Sequence, residues 1–317
     1  MAMQMSGCLA ARRPAAPASS QNQRRHTVQV AAIAAPLKDR ETLPSPSSLE
    51  RELQQRLANS TPAPAATGRR VVLESADELK STWEHRAWVG GATALMGATL
   101  AGGLGQVDGI GGMVEAGVAV CAAYALADLG TAFYHFFVDN YGDASTPVFG
   151  GQIAAFQGHH QRPWTITERE FSNNVHKLFK PAAPFAAVLA LSAAAGAPVW
   201  WDVWSSSFLF LCCMSQQFHA WSHMKRSELP PAVVALQESG LLISRKAHGA
   251  HHKSPFNCNY SIVSGMWNPV LDGDNPETSV WMRLERYIHS AYGVEPRSWY
   301  EPEQAWQEQQ RPGAPLS

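Results

Sequence analysis

The sequence is poor in charge. Only 16% of its 317 residues are Asp, Glu, Lys or Arg, well below the roughly 25% that is typical of soluble domains. The charges nearly cancel, with 25 Lys plus Arg against 26 Asp plus Glu, and this balance argues against a nucleic-acid partner. The uncharged stretches are concentrated after residue 86. Their concentration there indicates a protein that lies in a membrane.

Cysteine is also scarce, and the 5 Cys residues have no regular spacing. They form no C-x-x-C pair, so the sequence supports neither a disulfide scaffold nor a cysteine-rich zinc site. The sequence also lacks the C-x-x-C-H motif of attached haem, the cysteine spacing of an iron-sulfur cluster and a flavin-binding motif. Any redox chemistry would therefore depend on electrons from an external donor.

Acidic residues are absent from residues 1–38, which are rich in Ala and contain several Arg. This composition predicts an organelle transit peptide. The run at residues 28–35 favours a plastid over a mitochondrion, and a disordered tail without a targeting role is the alternative. Residues 39–80 are predicted to form a disordered linker, residues 81–300 the membrane domain, and residues 301–317 a disordered tail.

Four apolar stretches are long enough to be membrane-spanning helices, which need about 20 residues each. The second contains only Glu115 and Asp128 as charged residues, and the other three contain none. Basic residues are concentrated in the two long loops, so the positive-inside rule places these loops and both termini on one side, the stroma of a plastid. The sequence thus predicts an all-α integral membrane helical bundle of about four transmembrane helices, at residues 87–104, 109–138, 182–199 and 203–221.

Histidine is abundant, and most of the 12 His residues lie in four short motifs. His135 and Asp139 are four residues apart, as are His219 and His223, so each pair lies on one face of a helix and can share a metal. Adjacent histidines diverge enough to serve two metals. All four motifs fall on one side of the predicted membrane bundle. The sequence therefore predicts a His-rich di-metal site on that face, with the ligands His135, Asp139, His159, His160, His219, His223, His248, His251 and His252.

The type of ligand narrows the choice of metal. Eight imidazoles and one carboxylate are too many for a single tetrahedral zinc site. The H-E-x-x-H motif of zinc proteases is absent. Imidazole also suits iron, so two metals with positions left open for oxygen fit this set better.

The motifs in combination resemble those of the membrane fatty-acid desaturase and hydroxylase superfamily. Three segments, at residues 156–167, 219–223 and 245–255, are similar to the Kua or plasmanylethanolamine-desaturase family. Together with the predicted plastid transit peptide, the segment at residues 171–176 resembles the plant fatty acid desaturase 4 branch of that family. The resemblance covers roughly residues 80–300. Asp139 stands where many common acyl desaturases carry His.

The resemblance implies an O2-dependent desaturase with two Fe ions. In the plant branch the product is a trans double bond at carbon 3 of palmitate in phosphatidylglycerol. The expected partners are this acyl lipid and ferredoxin as the electron donor, and the expected location is a chloroplast membrane, either thylakoid or envelope, with several membrane passes. A related hydroxylase or vinyl-ether-forming desaturase is the alternative enzyme. A membrane metal carrier is the alternative of another class, and the clustering of His on one side argues against it.

Some residues have more than one interpretation. His176 is predicted to lie in a polar loop as a ligand, as a donor to a ligand or as a surface residue. Asp128 lies within an apolar span, where a carboxylate is costly, so it is expected to orient an imidazole N–H. Residues 230–243 are predicted to form an interfacial helix that either admits a lipid or anchors the chain. The other histidines, His26, His85 and His289, are predicted to bind no metal.

Overall fold

A computed structural model describes residues 77–299, and every regular element within that range is helical. The predicted transit peptide at residues 1–38, almost all of the predicted linker at residues 39–80, and the predicted tail at residues 301–317 lie outside the described residues. The all-α prediction is confirmed.

Within residues 77–299, four long helices form the bundle, and each overlaps one of the four predicted spans. The first is capped by Thr82, whose side chain accepts a hydrogen bond from the backbone N–H of His85. The four are α1 (Trp83–Gly105), α2 (Gly109–Asn140), α5 (Phe171–Ala194) and α6 (Val199–His223).

Shorter helices connect the bundle and follow it. In chain order they are α3 (Gly150–Gln161), α4 (Thr165–Glu168), α7 (Pro231–Glu238), α8 (Arg245–His251), α9 (Asn268–Asp272) and α10 (Val280–Tyr292), with single 3-10 turns at Arg226–Glu228 and Arg297–Trp299.

Three of the four long helices, α1, α2 and α5, are long and apolar enough to cross a membrane. Many of their apolar side chains point away from the protein; Val118, Val188 and Leu191, for example, are exposed. A face of this kind is suited to contact with lipid. The fourth predicted span, α6, is helical throughout but carries Asp202 and several Ser and Gln residues, which makes it less apolar than the other three.

The long helices pack through small side chains. α1 packs against α5 and α6, and α2 packs against α6. Gly103 of α1 lies against α6 so closely that a Cβ atom there would be 2.7 Å from the Cβ of Asp202. Ala92 and Ala186 are buried in the core that α1 shares with α5. Small residues of this kind let membrane helices approach each other closely.

The boundaries of the third predicted span are wrong. The prediction begins at residue 182, whereas α5 begins eleven residues earlier and ends at Ala194. Lys180 lies on the helix, and its ammonium group pairs with Glu84 of α1, at 3.3 Å. Pro181 and Pro184 are accommodated within the helix, as prolines often are in membrane helices. As a result, His176 is on a helix and not in a loop.

The segment after α8 packs on the second half of α2. Phe136 of α2 stacks on Trp281 of α10, with 4.9 Å between the ring centroids. Tyr260 lies against the same two rings, and all three side chains are fully buried. This aromatic cluster holds the C-terminal segment beside the helix that carries His135 and Asp139.

Candidate metal centre

The first pair of predicted ligands lies near the end of α2. His135 and Asp139 are one turn apart on the same face, and 3.1 Å separates the His135 Nε2 atom from the Asp139 Oδ2 atom. Both residues are buried. The i, i+4 spacing in the sequence therefore has the geometric result that was expected of it.

The adjacent histidines of α3 diverge as predicted. The Nε2 atom of His159 is 3.0 Å from the Nε2 atom of His223. The Nε2 atom of His160 points elsewhere, 3.1 Å from Asp139 Oδ2 and 3.1 Å from the Nε2 atom of His251. Two neighbouring residues at the end of one short helix thus contribute to two different sets of ligands.

The last histidine motif divides in the same way. His248 lies on α8 and His252 directly follows it, and their Nε2 atoms are 3.1 Å apart. The Nε2 atom of His248 is also 2.9 Å from that of His223, at the end of α6. His251 faces the opposite set, with its Nε2 atom 3.3 Å from Asp139 Oδ2.

The nine predicted ligands form two groups. Within each group the candidate ligand atoms, one from each residue, all lie within 4.8 Å of one another. We call them the five-histidine group (His159, His219, His223, His248 and His252) and the Asp139 group (His135, Asp139, His160 and His251).

The five-histidine group has the dimensions of a metal site. Its facing nitrogens are 2.9 to 3.1 Å apart, and two ligands at right angles around a metal at about 2.1 Å would be about 3 Å apart. Within the described residues, neither ring nitrogen of the buried His219 has a hydrogen-bond partner. Burial also lowers the pKa of His159, His248 and His252 well below the usual value, which keeps these imidazoles in the neutral form that binds metals.

The Asp139 group fits a cation for a different reason. The Nδ1 atom of His251 donates a hydrogen bond to the carbonyl oxygen of Cys258, at 2.8 Å. Burial lowers the pKa of His251 to about 4, so at neutral pH the ring carries no second proton. Its Nε2 lone pair therefore faces the carboxylate oxygen of Asp139. A metal ion between them would replace this repulsion with coordination.

The two groups adjoin but differ in exposure. The ring centroids of His160 and His252, one from each group, are 4.9 Å apart. All four residues of the Asp139 group are buried, whereas His223 and His252 of the five-histidine group are partly exposed. The arrangement can therefore hold two neighbouring metals, of which the one in the five-histidine group lies nearer to solvent.

The remaining histidines of the described range lie outside both groups. His176 stacks on His85, with 3.8 Å between the ring centroids and 16° between the ring planes. Its Nδ1 atom contacts the backbone oxygen of Asn173, at 2.8 Å. His289 packs beside Trp299. His176 is therefore joined to another isolated histidine and not to the ligand groups, while His26 lies outside the described residues.

The expected role of Asp128 is wrong. Its Oδ1 atom contacts no imidazole but accepts hydrogen bonds from the backbone N–H groups of residues 263–265. Two imidazoles are instead oriented by backbone carbonyls, since the Nδ1 atoms of His251 and His135 contact the oxygens of Cys258 and Tyr260. Sequence reasoning missed these acceptors because any residue type offers a carbonyl.

Comparisons with known proteins show which sequences are related to this chain. A sequence profile of the lipid desaturase domain matches residues 124–299, a segment that contains all nine candidate ligands. Fatty acid desaturase 4, chloroplastic, of Arabidopsis thaliana is 48% identical over 233 residues, which are 72% of this chain and 68% of that protein.

More distant relatives are also similar. Fatty acid desaturase 4-like 1, chloroplastic, of Arabidopsis thaliana is 45% identical over 233 residues, 73% of this chain and 76% of that protein. Plasmanylethanolamine desaturase of Myxococcus xanthus is 34% identical over 185 residues, 56% of this chain and 62% of that protein. No solved structure shows a significant match.

Proposed function

The chain belongs to the lipid desaturase family, and on that premise we propose that it is a membrane di-iron acyl-lipid desaturase. It is an oxidoreductase of the fatty acid desaturase class, and its substrate is a lipid. The observation that carries the di-iron proposal is the convergence of four separate motifs into two adjoining groups of ligand atoms.

The five-histidine group would hold one iron and the Asp139 group the other. Imidazole and carboxylate ligands suit non-haem iron. Two irons bound there would supply the activation of O2 that removes two hydrogens from the acyl chain. Burial keeps the imidazoles of His159, His248, His251 and His252 neutral. Backbone carbonyls fix the direction of the Nε2 lone pairs of His135 and His251, and the Asp139 group is buried away from solvent.

The proposed product is a trans double bond at carbon 3 of palmitate in phosphatidylglycerol. The support for this choice is the resemblance of residues 171–176, together with the predicted plastid transit peptide, to the plant branch of the family. In the balanced reaction, a CH2–CH2 unit, one O2, two electrons and two protons give a CH=CH unit and two molecules of water.

The two electrons would come from ferredoxin. No flavin, haem or iron-sulfur motif occurs in the sequence, so the donor is a separate molecule. The partly exposed ligands of the five-histidine group lie beside basic residues that are exposed: Arg245 donates a hydrogen bond to the backbone oxygen of His223, and Lys246 and Lys253 flank the last motif. An acidic donor would be attracted to this side.

The proposed location is a chloroplast membrane, thylakoid or envelope, which the chain crosses several times. Residues 1–38 would be the transit peptide, 39–80 a linker, 81–300 the desaturase domain and 301–317 a tail. The acid-free composition of the first segment supports this division, as do the relatives whose names include the word chloroplastic.

Lipid analysis tests the proposed function. The full chain and its His248→Ala variant would be expressed in a host that makes phosphatidylglycerol but no trans-3 acyl lipid, together with ferredoxin and its reductase. We expect trans-3-hexadecenoate in phosphatidylglycerol with the unchanged chain and none with His248→Ala. A hydroxylated lipid or a vinyl ether would instead identify the related enzymes. Metal accumulation without any modified lipid would identify a carrier.

A further inference from the structure

The loop from Phe256 to Gly265 lies against the Asp139 group and contacts it through two backbone carbonyls. The Cys258 oxygen accepts a hydrogen bond from Nδ1 of His251 at 2.8 Å, and the Tyr260 oxygen is 3.0 Å from Nδ1 of His135. Because a carbonyl can only accept, the proton of each ring lies on Nδ1. In the neutral form of each ring, this tautomer leaves the Nε2 lone pair free for a metal.

The residue between these two carbonyls is held from the other side. The backbone N–H of Asn259 lies 3.1 Å from Oδ1 and 3.2 Å from Oδ2 of Asp272. Asn259 has a φ of 57°, in the left-handed region that Asn tolerates better than most residues. The hydrogen bonds from Asn259 to Asp272 therefore fix the backbone between the carbonyl groups of Cys258 and Tyr260.

Asp128 closes the far end of the loop onto α2. Its Oδ1 atom accepts the backbone N–H groups of Val263, Ser264 and Gly265, at 3.1, 2.8 and 3.1 Å. The side chain is fully buried, two turns before His135 on the same helix. Three hydrogen bonds to one carboxylate oxygen tie the loop to the helix whose ligands it orients.

Three members of the five-histidine group lack the support that His135 and His251 have. Among the described residues, the Nδ1 atoms of His219, His248 and His252 have no hydrogen-bond partner. The carbonyls of Cys258 and Tyr260 contact His251 and His135, which both belong to the Asp139 group. Release of the loop should therefore affect one of the two groups and not the other.

We propose that Asp128 is a positioning residue for the Asp139 group, acting through the loop from Phe256 to Gly265 and its carbonyls at Cys258 and Tyr260. The inference rests on the proposed function only in that the Asp139 group holds a metal. According to this inference, the carboxylate of Asp128 supports metal binding although it does not contact the metal.

The test is the number of metals that the purified full chain binds in detergent. Iron per chain would be measured by mass spectrometry, and binding of Co2+ would be followed by its absorption bands. The unchanged protein should bind two metals. Asp128→Ala should bind about one, because affinity at the Asp139 group falls by about 10- to 100-fold. Asp128→Asn retains an oxygen at the Oδ1 position and should restore the second metal.

A matched change controls for loss of packing. Asp202 of α6 is also fully buried and contacts none of the loop residues described above, so Asp202→Ala should retain both metals. If Asp128→Ala fails to fold, Asp272→Ala releases the same loop at Asn259 and should give the same loss of one metal.

Each other outcome contradicts the inference. A folded Asp128→Ala protein that binds two metals with unchanged affinity would show that the loop does not position the ligands. Parallel loss of both metals would reduce Asp128 to a general structural role. Failure of the unchanged chain to bind two metals would overturn the proposed di-iron function together with this inference, which distinguishes the two failures.

Discussion

At the scale of single residues, the role of a histidine in this protein follows from what each ring nitrogen contacts. His251 gives its Nδ1 proton to a carbonyl and turns Nε2 to Asp139. His85 uses its Nδ1 atom at the start of α1, where it accepts the backbone N–H of Thr82, and its ring stacks on His176. Only the first arrangement leaves a buried lone pair directed at other ligands.

This contrast predicts different outcomes for the same substitution. His251→Ala should abolish the product and lower bound iron from two to about one per chain, because the Asp139 group loses a ligand. His85→Ala should leave both quantities near those of the unchanged protein. Lipid analysis and metal analysis of the two purified variants measure them. Full activity with two irons in His251→Ala would exclude the Asp139 group as an iron site.

The nine candidate ligands were predictable because their spacing is local. Residues three or four positions apart on a helix lie on the same face regardless of the tertiary fold. The pairing of His135 with Asp139 can therefore be predicted from the sequence. The partners of Asp128 were not predictable. They are backbone N–H groups at residues 263–265, 135 to 137 positions away, and no side chain there identifies them.

At the scale of helices, the apolar runs predicted the positions of the four long elements. The start of α5 was missed because Lys177 and Lys180 interrupt the run, although Lys180 finds a partner in Glu84 of α1. Such pairing depends on which helices become neighbours. The same holds for the small residues at helix contacts, since the sequence shows a glycine but not what faces it.

Substitution of two glycines of α1 tests how closely α1 packs on α6. A Cβ at position 103 would lie 2.7 Å from the Cβ of Asp202 and 3.3 Å from a methyl group of Val203, whereas a Cβ at position 97 would meet nothing within 4 Å. Gly103→Ala should therefore lower the free energy of unfolding by about 1 to 3 kcal/mol through overpacking. Gly97→Ala should not lower it. Thermal unfolding in detergent compares them, and equal melting temperatures would contradict the close contact of α1 with α6.

Asp272, the last residue of α9, predicts that the stability of the folded chain depends on pH. Burial raises the pKa of Asp272 from 3.8 to about 7, so the folded chain holds this proton more tightly than the unfolded chain. The resulting stabilisation is present below the unfolded pKa and is lost as the pH rises to about 7, by on the order of a few kcal/mol.

The Asp272→Asn variant removes this titration while it keeps an acceptor for Asn259 and Trp281. The melting temperature of the unchanged protein should fall more between about pH 5 and pH 8 than that of the variant. Parallel curves for the two proteins would show that the carboxyl of Asp272 does not titrate in this range.

At the scale of the whole molecule, both ligand groups lie at one end of the long helices. Their ligands lie at the end of α2, on α3, at the end of α6, and on or directly after α8. The sequence predicted this one-sidedness from the charge of the loops. It did not predict that one group would be wholly buried and the other partly exposed, because burial depends on how the C-terminal segment covers α2.

This difference in exposure predicts where electrons enter. If the donor approaches the five-histidine group, the exposed side chains of Lys246 and Lys253 lie beside its path and attract an acidic protein. The double variant Lys246→Glu/Lys253→Glu should raise the KM for reduced ferredoxin, the donor that we propose, about tenfold at low salt. The kcat at saturating donor should stay the same, since neither residue belongs to a ligand group.

Arg283→Glu, a similar reversal at an exposed position of α10, should leave the KM near that of the unchanged protein. Added salt should narrow the gap between the double variant and the unchanged protein. Equal effects of the two reversals would show that the donor responds to overall charge and does not approach the five-histidine group.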